Sequence, residues 1–487
     1  METRRTHFMA AGALLLATAV AGTAARGKGG TPGAQVPTNG RTTFAAPGTG
    51  PVSFTGTLDR TAVLRGGDGR VRMELVMAAL PDDTAQRVRR PTDVVIILDR
   101  SGSMDGGKIV HARAAIRELL GQLGPQDRFA LVTYSDTATL AVPLSAVNDA
   151  ARGAWNGVIA EIQASGGTNM SSGLDLGIDV IDRDRERERG RGGDAERVPH
   201  VVLISDGLAN QGDPSPDGLT RRARRAAQGE YMLSTVGVGA DFNEYLMTAL
   251  ADAGTGNYYY LRDTQNLAAV FAREFDAARS TVAAGLAVQI EPAAGVRVVD
   301  AAGYPLERAG NATVFHPGSL FAGQERRVWV TLVAPQSAVG DYDLGRFSLA
   351  YGDGGARTVL YLSDVPRVAC VPSEDEYYSS VDVGAWGRSV IVDAYNKVQE
   401  EVARDVQAGR RDAALEKLRV FKDETAAMNA RLPAPSAPVA QQLDDVKRLE
   451  AEVSGAFVGE NQERRQNELS KAASAAALDA RRAGSKK

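Results

Sequence analysis

The segment Asp93-Val94-Val95-Ile96-Ile97-Leu98 constrains the fold more than any other part of the chain. It is a short, unbroken run of apolar, mostly β-branched residues, the pattern of a strand buried on both faces of a parallel sheet. A parallel neighbour needs a crossover connection, and the sequence supplies one. Lys108 to Gln122 places Ile109, Ala112, Ile116, Leu119 and Leu120 at helical spacing, and Gly124-Pro125 ends the run. The alternation then continues. Strands are expected at Arg128–Tyr134, Val198–Ser205, Tyr231–Val238 and Asn257–Leu261, and helices at Asn148–Gln163, Ser172–Ile181, Pro216–Gly229, Phe242–Ala251 and Leu267–Arg279. This order predicts an α/β fold with a doubly wound, mostly parallel sheet. Such sheets bind ligands beyond the carboxyl ends of their strands. Chemistry is therefore expected in the loops after Leu98 and Ser205.

Those loops carry short oxygen-bearing side chains. Asp99-Arg100-Ser101-Gly102-Ser103 presents a carboxylate and two hydroxyls at alternate positions, with Gly102 permitting a tight turn. Gly166-Gly167-Thr168-Asn169-Met170 adds a hydroxyl, and Asp206-Gly207 a second carboxylate. An all-oxygen donor set suits a hard cation such as Mg2+, Ca2+ or Mn2+. Two carboxylates nearly balance a divalent ion and leave it electrophilic towards one more anionic ligand, such as an acidic side chain of a partner.

Asp99, Ser101, Ser103, Thr168 and Asp206, in this order and on these loops, resemble the metal-ion-dependent adhesion site of the von Willebrand factor type A domain, also called the integrin I domain. The resemblance covers about Asp93 to Ser280. It implies that Ser101, Ser103 and Thr168 contact the metal directly, while Asp99 and Asp206 act directly or through water. Mg2+ is the first choice, with Ca2+ or Mn2+ as alternatives. Two neighbouring segments read either way. Tyr134-Ser135-Asp136 is a loop beside the site or a plain strand-end turn. Asp182 to Arg191 is a charged docking loop or a solvated insertion between helix and strand, the second being favoured.

The flanks read as one β-sandwich interrupted by the α/β domain. Thr61–Arg65 and Arg70–Val76, joined by Gly66-Gly67-Asp68-Gly69, carry a hairpin signal. Strand patterns recur at Leu286–Ile290, Val296–Val299, Ala312–Phe315, Arg326–Val333, Phe347–Tyr351 and Thr358–Leu362. Two N-terminal strands are too few to stand alone, so they are expected to pair with the later ones. Cys370 reads as a buried strand residue. From Glu374 onward the pattern is helical, broken by Gly409 and by Pro433-Ala434-Pro435. This region is a cap on the sandwich or a partner-docking segment, the cap being favoured. The nested arrangement resembles exported bacterial proteins related to inter-α-trypsin inhibitor heavy chains and to calcium-activated chloride channel homologues. The expected organisation is a signal peptide (1–25), a flexible linker (26–50), N-terminal sandwich strands (51–90), the α/β domain (91–280), the rest of the sandwich (281–371) and a helical region (372–487).

The signal rests on Arg4-Arg5, the apolar run Phe8–Ala21 and the small residues Gly22-Thr23-Ala24-Ala25. It predicts a periplasmic or extracellular protein with no membrane span once the signal is removed. Composition narrows the function further. A net charge of −4 gives no basic excess to drive nucleic-acid binding. One cysteine and four histidines without ligand spacing exclude an intramolecular disulfide framework and argue against a Cys- or His-based zinc centre. G-x-S-x-G, H-E-x-x-H and G-x-x-x-x-G-K-[ST] are all missing. The expectation is a non-enzymatic protein that binds the acidic group of a protein partner through a divalent cation. The alternatives are an envelope protein whose metal only stabilises the fold and, less favoured, a metal-dependent hydrolase.

Overall fold

The computed structural model describes residues 42–48, 50–80, 91–190, 197–206, 209–229, 231–238, 243–261, 267–353 and 356–483. The expected signal peptide and residues 26–41 of the expected linker lie outside the described residues. Four strands come first: β1 (Thr43–Ala45), β2 (Val52–Leu58), β3 (Ala62–Leu64) and β4 (Arg70–Ala79). β1 falls within the stretch read as linker, yet it pairs with β2 and buries Phe44.

The α/β domain then runs β5 (Thr92–Asp99), α1 (Gly107–Gln122), β6 (Arg128–Tyr134), β7 (Ala138–Ala146), α2 (Asp149–Glu161), α3 (Met170–Gly190), β8 (Val198–Ser205), α4 (Pro216–Gln228), β9 (Met232–Val238), α5 (Glu244–Ala253), β10 (Thr255–Leu261) and α6 (Leu267–Arg279). Its sheet has the order β10-β9-β8-β5-β6-β7. Every pair is parallel except β6 with β7. β5, β8 and β9 are buried along their whole length, as continuous apolar strands with helices on both faces must be. β5 lies at the centre, so its C-terminal Asp99 sits in the middle of the sheet's upper edge. α3 packs against the sheet through Gly173 and Gly177. A Cβ at these positions would come within 2.6 Å of Tyr134 and 2.3 Å of Ile97. That close approach draws the Gly166–Asn169 loop, which leads into α3, down towards the end of β5.

Asp182 to Gly190 continues α3, which corrects the reading of Asp182–Arg191 as a loop. The acids find partners on neighbouring elements. Asp182 accepts from Arg225 at 2.8 Å and from the Tyr231 hydroxyl at 3.0 Å, and Asp184 accepts from Arg128 at 2.5 Å. Residues 191–196 lie outside the described residues.

The second half of the sandwich comprises β11 (Thr281–Pro292), β12 (Arg297–Ala301), β13 (Glu307–Ala309), β14 (Ala312–Phe321), β15 (Glu325–Val333), β16 (Gly340–Asp343), β17 (Gly345–Asp353), β18 (Ala356–Tyr361) and β19 (Arg367–Val371). One sheet has the order β1-β2-β4-β15-β12 and the other β13-β14-β11-β17-β18. β4 and β15 pair antiparallel from Ala78↔Glu325 to Arg70↔Val333. The strands on either side of the α/β domain therefore share a sheet and one apolar core. The expected hairpin between Thr61–Arg65 and Arg70–Val76 does not form. β3 leaves for a third, small sheet and pairs parallel with β19, while β4 takes β2 and β15 as neighbours. The glycine-rich link is a crossover between sheets. Gly69, at φ +66°, lies where a Cβ would meet the Ala334 carbonyl at 2.5 Å. Cys370 is buried in β19.

The C-terminal region is helical: α7 (Glu374–Ser379), α8 (Val383–Arg388), a π-helical turn at Ser389–Ala394, α9 (Tyr395–Gln407), α10 (Arg411–Arg431), α11 (Ala437–Ala456) and α12 (Gln462–Ala483). It is docked on the sandwich by ion pairs. Buried Glu74 of β4 accepts from Arg327 at 3.0 Å and from Arg388 at 2.9 Å, and Lys397 reaches Asp300 at 2.5 Å. These contacts favour the cap over a free docking segment. No helix among the described residues is long and apolar enough to cross a membrane.

Candidate functional site

β5 ends on Asp99, whose side chain is wholly buried. Its Oδ1 accepts the Ser101 N–H at 2.8 Å. Its Oδ2 accepts the Ser205 hydroxyl at 2.7 Å and the Tyr134 hydroxyl at 3.2 Å. These bonds come from the ends of β6 and β8, the two strands that flank β5. Burial holds the Asp99 carboxyl above its ordinary value; hydrogen bonds from Ser101 and Ser205 pull it down, and nearby Asp206 pushes it up. Burial likewise raises the Tyr134 phenol well above its ordinary value, which keeps it a donor.

After Asp99 the chain turns through a short 3-10 segment, Gly102–Met104, anchored by the buried Met104. The turn brings the Ser101 and Ser103 hydroxyls to 3.1 Å of each other. Ser103 Oγ donates to Asp206 Oδ1 at 2.7 Å. Asp206 follows β8 and its side chain is buried. Four of the five residues singled out from sequence are thus linked in a continuous chain of contacts. Thr168 lies on the adjoining loop, whose Gly166 carbonyl accepts the Gly102 N–H at 3.0 Å. It is buried and held by Asn210, whose side chain accepts the Thr168 N–H at 2.9 Å.

The Tyr134–Asp136 segment, left open above, lies beside the site. Asp136 Oδ1 accepts the Gly167 N–H at 2.8 Å and Gln211 Nε2 at 2.8 Å, and its backbone carbonyl accepts Asn169 Nδ2 at 3.0 Å. The Gly167 N–H first, then Gln211, hold its carboxyl below the ordinary value. Gly166 sits at φ +79°, where a Cβ would lie 2.4 Å from Asp136 Oδ2, so the loop requires glycine there. Sequence reasoning missed Ser205, Asn210 and Lys108. The first two sit one and four residues from Asp206, close enough to have been flagged. Lys108 Nζ contacts Asp206 Oδ2 and donates to the Ser103 carbonyl at 3.1 Å. Among the described residues no three His, Cys, Asp or Glu side chains gather as a metal cluster. The donors here are instead two carboxylates and short hydroxyls, all hard oxygens of the type that Mg2+ and Ca2+ take.

A parallel sheet with a Ser-, Thr- and Asp-lined crest at its central strand defines a class. Residues 93–273 match the family model of the von Willebrand factor type A domain, and the chain carries a domain of that family. An uncharacterised protein of Synechocystis sp. is 24% identical over 353 residues, which cover 70% of this chain and 80% of that one. Human inter-alpha-trypsin inhibitor heavy chain H4 is 34% identical over 166 residues, or 33% of this chain; the match spans only 17% of that relative's length. Among solved structures, a von Willebrand factor type A protein from Catenulispora acidiphila superposes with a TM-score of 0.64 at 16% identity, over 90% of this chain and 98% of that one. A paralog of ArnB from Sulfolobus acidocaldarius gives 0.52 at 15% identity, over 87% and 98%. The two structures share the fold over most of the chain.

Proposed function

We propose that this is a non-enzymatic binding protein that works outside the cytoplasm and captures an acidic group of a protein partner through a divalent cation. Ser101, Ser103 and Thr168 supply hydroxyl oxygens to the cation, and Asp99 and Asp206 supply charge, directly or through water. Mg2+ stands first, with Ca2+ or Mn2+ next. A bound ion of this kind supplies an electrophilic centre for a carboxylate. The chain's own residues hold the loops in place around it: Tyr134 and Ser205 orient Asp99, and Asn210 fixes the Thr168 backbone.

The observation that carries this reading is the run of contacts from Asp99 through Ser101 and Ser103 to Asp206. Two buried carboxylates share that run, Lys108 meets only Asp206 of the two, and a buried charge needs a counter-charge. The export half of the reading rests on the N-terminal sequence alone. Mass spectrometry of protein from its native host should find a mature N-terminus near Ala25 or Arg26, and an intact Met1 on a cytosolic species would remove that half.

Calorimetry with Mg2+ and Ca2+ tests the site. The wild type should bind one ion. Asp99→Ala should lose binding by two orders of magnitude or so, as roughly 3 kcal/mol of charge attraction disappears. Ser103→Ala should lose less, because it removes a neutral oxygen. Pull-downs from envelope extract should recover partners only without chelator. Equal recovery from wild type, mutant and chelated samples would remove the adhesion mechanism.

A further inference from the structure

The rim of the site carries a cation of the chain's own. Lys108 is the second residue of α1. The first turn of a helix is its positive pole, where a basic side chain is unfavourable. No acidic residue in that turn offsets it. A residue that breaks a local rule beside a site is there for something other than the stability of its own helix. Its contacts show what. Lys108 Nζ meets Asp206 Oδ2 and the Ser103 carbonyl, while Ser103 Oγ takes Asp206 Oδ1. Both oxygens of Asp206 are therefore engaged, one by a hydroxyl and one by an ammonium. The Asp206 side chain is fully buried, and that of Lys108 is 36% exposed. Burial of Asp206 limits the screening of their interaction at that end, while solvent reaches the Lys108 end.

We propose that Lys108 is a built-in counter-charge that weakens cation binding by itself and makes it depend on the partner's carboxylate. The proposal rests on the cation reading above. Asp99 and Asp206 bring two negative charges to the site, and Lys108 returns one positive charge. A divalent ion then leaves the site with a surplus positive charge, which one carboxylate from a partner cancels. Ion and partner therefore favour each other, and by linkage each raises the other's affinity by the same factor. Without Lys108 the ion alone brings the site to neutrality. It binds tightly unaided and gains little from an anion. A purely structural role for Lys108, as a strut between α1 and Asp206, predicts the opposite sign: its removal would loosen Asp206 and weaken the ion.

The test is calorimetry of the full chain with Mg2+ and with Ca2+, on wild type, Lys108→Met, Lys108→Gln and Lys108→Arg, repeated with acetate as a carboxylate probe. Thermal melts confirm that each protein is folded. Both neutral variants should bind Mg2+ about tenfold tighter or more. Lys108→Arg should match the wild type. Acetate should tighten Mg2+ binding to the wild type more than to Lys108→Met. Equal or weaker ion binding by the two neutral variants, with melting unchanged, would overturn the proposal. So would loss of the fold in both with rescue by Lys108→Arg, which makes Lys108 a strut. A wild type that takes up neither ion would remove the cation reading itself; a wild type that binds, with no gain in the variants, removes only the role of Lys108.

Discussion

Glu274→Ala is expected to cost about 3–5 kcal/mol of stability, because a cluster of buried polar groups loses its shared acceptor. Glu274 is a buried carboxylate on α6, and four groups on the sheet converge on it. His200 of β8 lies 2.5 Å away, Ser234 of β9 donates to it, and Asn257 and Tyr259 of β10 donate at 2.8 and 2.5 Å. Burial alone would raise this carboxyl, but the charge of His200 and the hydrogen bonds outweigh it and bring it down to about 2, from 4.5. The sign of the pH effect follows. The folded state holds Glu274 ionised more firmly than the unfolded state does, so its contribution is present above about pH 4.5 and is lost as the pH falls towards 2. Denaturant melts of wild type between pH 7 and pH 3 should show this decline. Glu274→Gln should start lower and decline less. Parallel curves for the two proteins would mean that Glu274 does not clamp α6 to the sheet.

Asp99→Asn should reverse its rank against the wild type when metal is added. In chelator the variant is expected to melt higher. Burial and Asp206 both press against the Asp99 charge, so the metal-free fold carries a carboxylate it would rather protonate, and stability falls as the pH rises through that titration. The amide removes the charge and keeps the acceptor for the Ser101 N–H, while the Ser205 and Tyr134 hydroxyls turn to accept from it. In saturating Mg2+ the order inverts. At an ion concentration of 100 times the wild-type Kd the wild type gains about 2.7 kcal/mol, and a variant that binds a hundredfold more weakly gains only about 0.4 kcal/mol. Melting curves in chelator and in Mg2+ measure both halves. A variant that melts below the wild type in both would show that the Asp99 charge stabilises the fold by itself.

Much of this was legible because the informative residues are local. β5 and β8 announce themselves as unbroken apolar runs, and the Asp99–Ser103 turn follows β5 directly. Other features are set by partners far along the chain. The Gly66–Gly69 link has hairpin chemistry, yet β3 pairs with β19, and no residue near Gly66 encodes that choice. The charged end of α3 alternates acids and arginines, which suggests solvent; only Arg128, Arg225 and Tyr231, brought from other elements, make it a docked helix. β7 is hard to read from sequence because it is a largely exposed edge strand interrupted by Pro143, which edge positions tolerate. β13 and β16 are short and polar for the same reason. At the site, the Ser and Asp pattern was visible, whereas Lys108 looked like an ordinary residue at the start of an amphipathic helix.

The pairing of β4 with β15 also sets the order in which this protein can be made. On the ribosome β2 and β4 emerge early and can close on each other, but the far edge of β4 must wait for Glu325–Val333. All six strands of the α/β domain are synthesised in the interval, so that domain can finish first. Meanwhile Val71, Met73, Leu75 and Met77 of β4, which end up in the sandwich core, lack the facing sheet of β11, β14 and β17 that will cover them. At ordinary translation rates of ~5–20 residues per second the wait is roughly 10–50 s. An open, apolar strand edge is a template for pairing with other nascent chains. The exposure of that edge during synthesis is thus set by how quickly the ribosome delivers β15, a quantity that the stability of the finished fold does not touch.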